Sequence, residues 1–345
     1  MTSRPNQWRR RELLRKAALA GIAGVVGLRP RRGRAEPPPE TTRIRLSRIS
    51  SICLAPQYAA EELLRDEGFT EIQYLATEKG RALMDDAGPY HALAAGTVDL
   101  NGGMVGELIA RIAAGDPIVI LGGIHAGCFE LFGTDRVHSV ADLKGKIVAV
   151  PSLGASHHLF VASIAAHVGL DPNKDITFIT PPLEDAVKLF VDGQIDAIFD
   201  FPPVSQELRA KKIGRVVIDG RVDRPWSLYF CCMLAANREF VRRNPAATKR
   251  AVRAIMKANN VCALEPARVA RALVERGHTA QYDYALQALK ELPYSKWRDY
   301  DPADTVRFYS LRLREAGMIK ASPQRILSEG TDWRFINELK KELKG

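Results

Sequence analysis

Beyond residue 35, the 345-residue sequence lacks any apolar run close to the roughly 20 residues that span a bilayer. Aromatic residues are also scarce, at 7%, whereas hydrophobic and charged residues make up 46% and 26%. This composition excludes a disordered chain, a collagen-like chain and a disulfide mini-protein. Because the chain is longer than one core usually serves, we predict two compact units.

Net positive charge is almost absent from the body of the chain, where basic and acidic residues nearly balance. The formal net charge is +10, but ten basic residues and only one acidic residue lie within the first 35 positions. The rest of the sequence is therefore nearly neutral. Such a body gives no long-range attraction to a phosphate backbone, so we expect no nucleic-acid partner.

The first 35 residues resemble an export signal of the twin-arginine type. Residues 10–15 read Arg-Arg-Glu-Leu-Leu-Arg, close to the pattern Arg-Arg-x-Phe-Leu-Lys, and the apolar stretch 17–28 is short for a membrane span. Small residues before and at Ala35 suit cleavage there. We predict a signal peptide over 1–35, a stiff proline-containing lead-in over 36–42, and a mature protein in the periplasm. An uncleaved amphipathic arm or a signal anchor is the alternative.

Cysteines are few and irregularly spaced. The sequence has five, and neither this odd number nor their spacing matches a zinc-ligand pattern. The twin-arginine route carries folded proteins, so a disulfide framework is not demanded. We predict buried free thiols, no metal site and no cofactor. The five positions are Cys53, Cys128, Cys231, Cys232 and Cys262.

From residue 43 onward, short apolar runs alternate with helical patterns, and the order is repeated. The run 96–99, Gly-Thr-Val-Asp, is matched by Gly-Gln-Ile-Asp at 193–196, and both follow a predicted helix. Alternation of strands and helices favours parallel sheets covered by helices. We therefore predict two similar α/β lobes; a chance resemblance between common strand–helix units is the alternative.

Two extended strands are expected to join the lobes. The runs 128–133 and 228–235 are rich in aromatic and thiol residues, which suits buried strands. We predict that lobe 1 comprises residues 43–127 and 236–345, and that lobe 2 comprises residues 128–235. The predicted hinge residues are Cys128, Phe129, Phe230 and Cys231.

The predicted ligand site lies where strands end and helices begin. In open α/β sheets, ligands bind beyond the carboxyl ends of the strands, near free helix N–H groups. Residues 154–156, Gly-Ala-Ser, occupy such a place, and a helix end there would hold an anionic group. A plain helix cap would produce the same sequence. No catalytic residue is predicted. The predicted ligand-binding residues are Gln57, Tyr58, Asn101, Gly102, Gly154, Ala155, Ser156, His157, Asp200, Phe201 and Trp226.

Three segments resemble a known family in order and in spacing. Residues 140–151, 168–175 and 192–197 resemble the signature of substrate-binding proteins in the nitrate/sulfonate/taurine importer family, and the resemblance covers residues 44–275. It implies the type II periplasmic-binding fold, in which two lobes close on a small ligand. It also implies a monomeric receptor that delivers its ligand to an ABC permease and the ATPase of that permease.

The same family includes a eukaryotic-type enzyme that builds the thiamin pyrimidine and carries a run Cys-Cys-Cys-Phe-Cys. The comparable residues here, 230–233, read Phe-Cys-Cys-Met, and this departure argues against iron-dependent chemistry. We therefore expect a non-enzymatic receptor for an anionic or pyrimidine-like molecule. A periplasmic sensory module is the first alternative, and a pyrimidine-synthase-like enzyme is the second.

Overall fold

Two five-stranded sheets form the framework of the chain. The computed structural model describes residues 36–49, 51–76 and 88–343, without the side chains of residues 183 and 184. The predicted signal peptide and its cleavage position lie outside the described residues. One compact unit, Pro38–Gly345, carries both sheets, and only residues 36 and 37 of the preceding unit are described.

Both sheets share one topology. The first contains β1 (Arg43–Ser47), β2 (Glu71–Leu75), β3 (Leu100–Met104), β4 (Ile118–Ala126) and β10 (Phe230–Asn237). The second contains β5 (Glu130–Gly133), β6 (Lys146–Ala149), β7 (Ile176–Ile179), β8 (Ala197–Asp200) and β9 (Arg215–Asp219). The strand orders are β2-β1-β3-β10-β4 and β7-β6-β8-β5-β9. In each sheet one antiparallel strand, β10 or β5, lies between parallel neighbours.

The antiparallel strands enter their sheets where the chain crosses between lobes. β5 follows the first crossing, at 127–129, and β10 follows the second, at 220–229. The crossings therefore differ from the hinge strands that we expected over 128–133 and 228–235. Most of those residues are paired within a sheet. Buried backbone N–H and C=O groups need hydrogen-bond partners, and the neighbouring strands supply them.

The expected hinge residues divide between a crossing and a strand. Cys128 and Phe129 lie in the first crossing, between β4 and β5. Phe230 and Cys231 lie inside β10, where Phe230 pairs with Ala126 at the end of β4. The second pair thus lies in the sheet of lobe 1, after the second crossing has ended.

The repeat predicted from the sequence extends to side-chain hydrogen bonds. In lobe 1 the Asp99 carboxylate accepts a hydrogen bond from the backbone N–H of Arg45 at 2.8 Å and pairs with the Arg45 guanidinium. In lobe 2 the Asp196 carboxylate accepts from the backbone N–H of Ile147 at 2.8 Å and pairs with Arg136. Each aspartate is the last residue of the repeated four-residue run, 96–99 or 193–196. The two lobes are therefore similar α/β units, as predicted.

Helices cover both sheets, and proline lies in the first turn of several, where its missing N–H costs no hydrogen bond. None of the described helices combines the length and the hydropathy of a membrane span. In the described part of the chain the α-helices are α1 (Ala55–Ala59), α2 (Glu61–Asp66), α3 (Pro89–Ala94), α4 (Val105–Ala114), α5 (Ser156–His167), α6 (Leu183–Val191), α7 (Val204–Ala210), α8 (Arg238–Arg243), α9 (Pro245–Leu264), α10 (Pro266–Glu275), α11 (Tyr282–Glu291), α12 (Pro302–Glu315), α13 (Pro323–Gly330) and α14 (Arg334–Glu342).

The apolar core continues from one lobe into the other. A single cluster of buried side chains joins the two sheets, and Phe129 of the first crossing stacks on Phe199 of β8 within it. A smaller cluster lies under the second sheet. All five cysteines are described; they are buried and none of them forms a disulfide.

Candidate functional site

A cavity lies between the two lobes. The space inside it that water molecules can occupy is about 50 Å³, it opens to solvent, and its wall is mostly apolar. An apolar cleft with a few convergent polar groups is the usual form of a small-molecule site. Lobe 1 lines it with Ile49, Ser51, Leu54, Pro89, Tyr90 and Met104, and lobe 2 with Ser156, His157 and Phe201.

The helix end that we expected to hold a ligand anion is capped by a carboxylate of the chain itself. Glu107, in the first turn of α4, accepts a hydrogen bond from the Ser156 hydroxyl at 2.6 Å and another from the Ser156 backbone N–H at 3.2 Å. Ser156 opens α5 in lobe 2, so this contact bridges the lobes. Ala155, rather than Ser156, is the N-cap residue. Glu107 thus occupies the place at the helix N-terminus, near the free N–H groups and the positive end of the helix dipole, where we expected a ligand anion.

Burial strongly affects the ionisation of Glu107. Its side chain lies at the boundary of the lobes and the residue is only 4% exposed. Burial raises the pKa of Glu107 to about 7, although the hydrogen bonds from Ser156 and the charge of Arg111 favour the ionised form. The contact between the lobes therefore involves a carboxyl group that titrates near neutral pH.

Three of the predicted residues form a group on the lobe 2 side of the cavity. His157 Nε2 lies 3.7 Å from Asp200 Oδ1, and the His157 ring meets the edge of Phe201 with centroids 4.7 Å apart. His157 Nδ1 and Asp200 Oδ2 are buried, and neither has a hydrogen-bond partner among the described residues. A buried polar atom without a partner costs roughly 1–3 kcal/mol. His157 lines the cavity and Asp200 lies behind it, so both atoms keep a hydrogen-bonding capacity that a ligand could use.

Asn101 and Gly102 are neighbours on β3 but differ in what surrounds them. Both polar atoms of the Asn101 amide are buried without a partner in the described part of the chain. A Cβ added to Gly102 would lie 2.8 Å from Leu54 Cδ2, so this glycine allows close packing inside lobe 1. The structure places both residues behind the cavity wall rather than in it.

Gln57 and Tyr58 hold lobe 1 together, a different role from the predicted ligand contact. The Gln57 amide donates to the carbonyl of Ser47 and accepts from the N–H of Gly102, both at 2.8 Å, and so joins β1 to β3. The Tyr58 hydroxyl donates to the carbonyl of Ile49 at 2.6 Å and accepts from its N–H. Both side chains therefore form hydrogen bonds with backbone groups at or just after the end of β1.

Trp226 and Gly154 also lie away from the cavity wall. Trp226 is 2% exposed and packs edge-on against Phe129 and Phe308 in the core. Gly154 is exposed and has a φ of +81°, and its N–H donates to His158 Nδ1 at 3.0 Å. Because any side chain at Gly154 would strain the backbone, a substitution there does not test ligand approach.

Glu107, Tyr90 and Met104 belong to this site, and the sequence did not single them out. The Tyr90 hydroxyl accepts the Met104 N–H at 2.7 Å, which fixes the aromatic ring beside the cavity. A glutamate in the first turn is common in helices and carries no functional signal. Glu107 contacts Ser156 only because the fold places the N-terminus of α5, from lobe 2, against α4 of lobe 1.

A charged network forms a second bridge between the lobes. Glu291, at the end of α11, pairs with Arg209 at 2.6 Å and with Arg221. The two arginines also approach Glu130 at 3.3 and 3.5 Å. Burial raises the pKa of Glu130 to about 7, against the two neighbouring guanidinium groups. Glu130 pairs with Asp200 across the sheet, so the network adjoins the group around His157.

Four buried side chains from distant segments converge beside the cavity. Cys53, His125, Cys128 and Cys232 each bring one potential ligand atom to within 4.8 Å of the others. Thiols and an imidazole are donors that suit thiophilic ions. The sequence gave no signal of this cluster because its cysteines are not grouped in the chain, and the fold alone brings them together.

Comparison with known proteins gives one family match. The model of the family described as NMT1-like matches residues 38–276, which is more than half of the chain. The 4-amino-5-hydroxymethyl-2-methylpyrimidine phosphate synthase of Saccharomyces cerevisiae is 24% identical over 220 residues, covering 60% of this chain and 61% of that protein. The chain spans 54–61% of the length of the curated relatives that it matches.

Solved structures share the fold. The periplasmic nitrate-binding protein NrtA of Synechocystis PCC 6803 has a TM-score of 0.68 at 17% identity, covering 89% of this chain and 90% of that one. The periplasmic aliphatic sulphonate-binding protein SsuA of Escherichia coli has a TM-score of 0.63 at 19% identity, covering 83% and 92%. These likenesses confirm the periplasmic-binding fold that was expected from the sequence.

Proposed function

The chain belongs to the NMT1-like family, and from this membership and the two-lobed fold we propose that it is the solute-binding receptor of an ABC importer. The receptor captures a small molecule between its lobes and delivers it to a membrane permease that an ATPase drives. It acts in the periplasm as a monomer, after removal of residues 1–35. The structural relatives described as periplasmic nitrate- and sulphonate-binding proteins support this proposal.

The observation that carries the proposal is a cavity with walls from both lobes. The cavity residues of lobe 1 and lobe 2 face each other only when the lobes are closed. A ligand that contacts residues of both lobes therefore shifts the population towards the closed form. The pair of Glu107 with Ser156 and the pair of Glu291 with Arg209 already connect the lobes. A bound ligand adds to these contacts, and the permease recognises the resulting closed shape.

The ligand that fits this cavity is an uncharged heteroaromatic molecule of the aminopyrimidine class. Glu107 caps the helix end where an anion would bind, and the Asp200 carboxylate lies beside the cavity. Above pH 7, where Glu107 is ionised, a nitrate or a sulfonate would face both carboxylates in a poorly solvated space, where repulsion is strong. Tyr90 and Phe201 provide aromatic walls for a flat ring.

The unpartnered atoms match the polar edge of such a ring. Asp200 Oδ2 can accept a hydrogen bond from an exocyclic amino group. His157 Nδ1 can donate to a ring nitrogen or accept from the amino group, according to its tautomer. The relatives in yeast are named for an aminopyrimidine phosphate, which supports the class.

The test is a thermal unfolding screen of the full chain, followed by calorimetry. The panel contains aminopyrimidines without phosphate, nitrate and several alkanesulfonates. Because a ligand that binds only the folded state raises the Tm, we expect a shift with aminopyrimidines alone. A panel without any response would overturn the receptor proposal. A response confined to nitrate or sulfonates would keep the receptor and overturn the ligand class.

The variant Asp200→Asn sharpens this test. The asparagine can still accept the N–H of Phe201, as Asp200 Oδ1 does at 2.7 Å, but it loses the negative charge. Losing a charge-assisted hydrogen bond should weaken aminopyrimidine binding about tenfold. The matched control is Asp192→Asn, an exposed carboxylate at the end of α6, which should bind as the unmodified chain does.

The proposed partner is tested by cross-linking the ligand-loaded protein to inner-membrane vesicles. Capture of a permease supports the importer. Capture of a sensor-kinase ectodomain without any permease supports the sensory alternative instead.

A synthase-like enzyme is the second candidate, favoured by the names of the yeast relatives. Because a synthase would form the pyrimidine as its product, the test incubates the purified chain with a small-molecule cell extract and searches for a newly formed aminopyrimidine phosphate by mass spectrometry. Formation that depends on the chain supports the enzyme, whereas no formation by a chain that still binds aminopyrimidines supports the receptor.

A further inference from the structure

The four side chains Cys53, His125, Cys128 and Cys232, here called the thiol–imidazole cluster, have the spacing of a tetrahedral metal site. All four are at most 2% exposed, and their ligand atoms lie within 4.8 Å of one another. The sulfurs of Cys128 and Cys232 are 3.9 Å apart. With metal–sulfur bonds of about 2.3 Å, two sulfurs of a tetrahedral site are about 3.8 Å apart.

His125 has the orientation of a metal ligand. Its Nε2 lies 2.9 Å from the carbonyl oxygen of Cys53, to which it can donate a hydrogen bond. Nδ1 lies on the thiol side, 3.8 Å from Cys231 Sγ, and also 3.1 Å from the carbonyl oxygen of Ala126. It can bind an ion only in the tautomer in which Nε2 carries the proton, so that Nδ1 has a lone pair in place of a hydrogen bond to Ala126. Metal-binding histidines commonly donate the other ring N–H to a carbonyl, which fixes the tautomer and the ring.

A disulfide is the competing arrangement of these thiols. Cys232 Sγ lies 3.9 Å from Cys128 Sγ and 3.8 Å from Cys231 Sγ, far beyond the roughly 2.0 Å of a sulfur–sulfur bond. In an oxidising compartment such as the proposed periplasm, neighbouring thiols tend to form disulfides unless they are bound or shielded. A coordinated ion keeps several thiols reduced at one place, so the crowding of the cluster favours a metal site.

We propose that the thiol–imidazole cluster binds one thiophilic divalent cation, with Zn²⁺ as the best-matched ion, in a closed tetrahedral site. Each ligating thiol releases its proton to solvent, and the imidazole binds in its neutral form. Four protein donors shielded from water are typical of a structural ion rather than a catalytic one. The argument against a disulfide rests on the proposed periplasmic location, whereas the ligand geometry does not depend on the receptor function.

The ion would form a rigid floor for the cavity. Two residues that line the cavity touch the cluster: the Ser51 hydroxyl lies 2.8 Å from Cys53 Sγ, and Met104 Sδ lies 3.4 Å from Cys232 Sγ. The four ligands come from the turn before α1, from β4, from the first crossing and from β10. One ion would therefore tie the first crossing between the lobes to the lobe 1 sheet and to the turn before α1.

The experiment measures metal content and ligation in the full chain. The protein is purified under reducing conditions without chelator, equilibrated with Zn²⁺, and its metal content is measured by mass spectrometry. Co²⁺ is the optical probe, because thiolate ligation gives charge-transfer absorption. We expect one ion per chain, thiolate bands with Co²⁺, and a lower Tm after chelation.

The variants Cys128→Ser and Cys232→Ser should lose stoichiometric binding. The matched control is Cys262→Ser, which removes an equally buried thiol of α9 outside the cluster and should bind one ion. If the cluster variants fold poorly, the Co²⁺ spectrum of the unmodified chain decides alone. A folded, reduced chain without thiolate bands would overturn the site. So would equal binding by the Cys128 and Cys262 variants, or a native disulfide between cluster cysteines.

Discussion

The Ser156 hydroxyl donates a 2.6 Å hydrogen bond to the Glu107 carboxylate across the boundary between the two lobes. The N-terminus of α5 is thereby supplied with a negative charge by the protein itself. A free helix end would attract a ligand anion, whereas a capped one leaves recognition to other groups. The same contact joins the lobes, so Glu107 influences both ligand choice and closure.

The first prediction concerns the pH dependence of stability. Burial raises the pKa of Glu107 from 4.5 to about 7 in the folded chain. The folded state therefore binds this proton more tightly than the unfolded state does. The resulting stabilisation is complete below pH 4.5 and is lost as the pH rises to about 7. The loss for this one group is roughly 3 kcal/mol.

The variant Glu107→Gln isolates this effect, because an amide does not titrate. Between pH 4.5 and 8 the variant should gain up to about 3 kcal/mol of unfolding free energy relative to the unmodified chain, measured by urea denaturation. Glu275→Gln, an exposed residue at the end of α10, is the control and should follow the unmodified chain. A constant difference between Glu107→Gln and the unmodified chain across this range would contradict the prediction.

The lobes could be predicted from the sequence because their signals are local. Gly96 and Gly193 each follow a helix, and the aspartate three residues after each glycine is part of the repeated run. Each aspartate then accepts a hydrogen bond from a backbone N–H on an earlier strand, Arg45 in lobe 1 and Ile147 in lobe 2. Strand–helix alternation and a repeated run are readable within short windows. The likeness of the two sheets follows from these local patterns together with the general rules of strand connection.

The site could be predicted only in part because its signals are not local. Ser156 and His157 were found from the helix end that they open. Gln57 also lies in a loop between a strand and a helix, so the sequence predicts a ligand contact there too. In the structure its amide instead forms hydrogen bonds with backbone groups of β1 and β3. Glu107 and the thiol–imidazole cluster arise from segments that only the packed lobes bring together, and such pairings leave no trace in one sequence.

The second prediction concerns Gln57 as a structural residue. Gln57→Ala would leave the carbonyl of Ser47 and the N–H of Gly102 buried without partners. Leaving these groups unsatisfied should lower the unfolding free energy by about 2–4 kcal/mol. Urea denaturation checks this value, with the exposed Gln324→Ala as control. A folded Gln57→Ala chain of normal stability but impaired ligand binding would instead assign this residue to the ligand.

The third prediction concerns the bridge made by Glu291. Glu291→Ala removes the carboxylate that pairs with Arg209 and Arg221, so the partly buried Arg209 retains only its contact with Glu130, while Arg221 retains Glu130 and Asp219. Stability should fall by about 2 kcal/mol, and the lobes should separate more readily. Small-angle scattering should report a larger radius of gyration without ligand. Glu315→Ala, which breaks an exposed pair within α12, should cost less than about 0.5 kcal/mol and leave the radius unchanged.

The fourth prediction reverses the ligand preference. Glu107→Ala frees the Ser156 hydroxyl and backbone N–H at the N-terminus of α5 and removes one of the two carboxylates near the cavity. An anion can then bind where Glu107 was, stabilised by the free N–H groups and the helix dipole. Nitrate or a small sulfonate should raise the Tm of this variant but not that of the unmodified chain or of the control Glu275→Ala. If the variant is folded and remains indifferent to anions, Glu107 does not exclude them, and the selectivity must come from Asp200 and the aromatic walls.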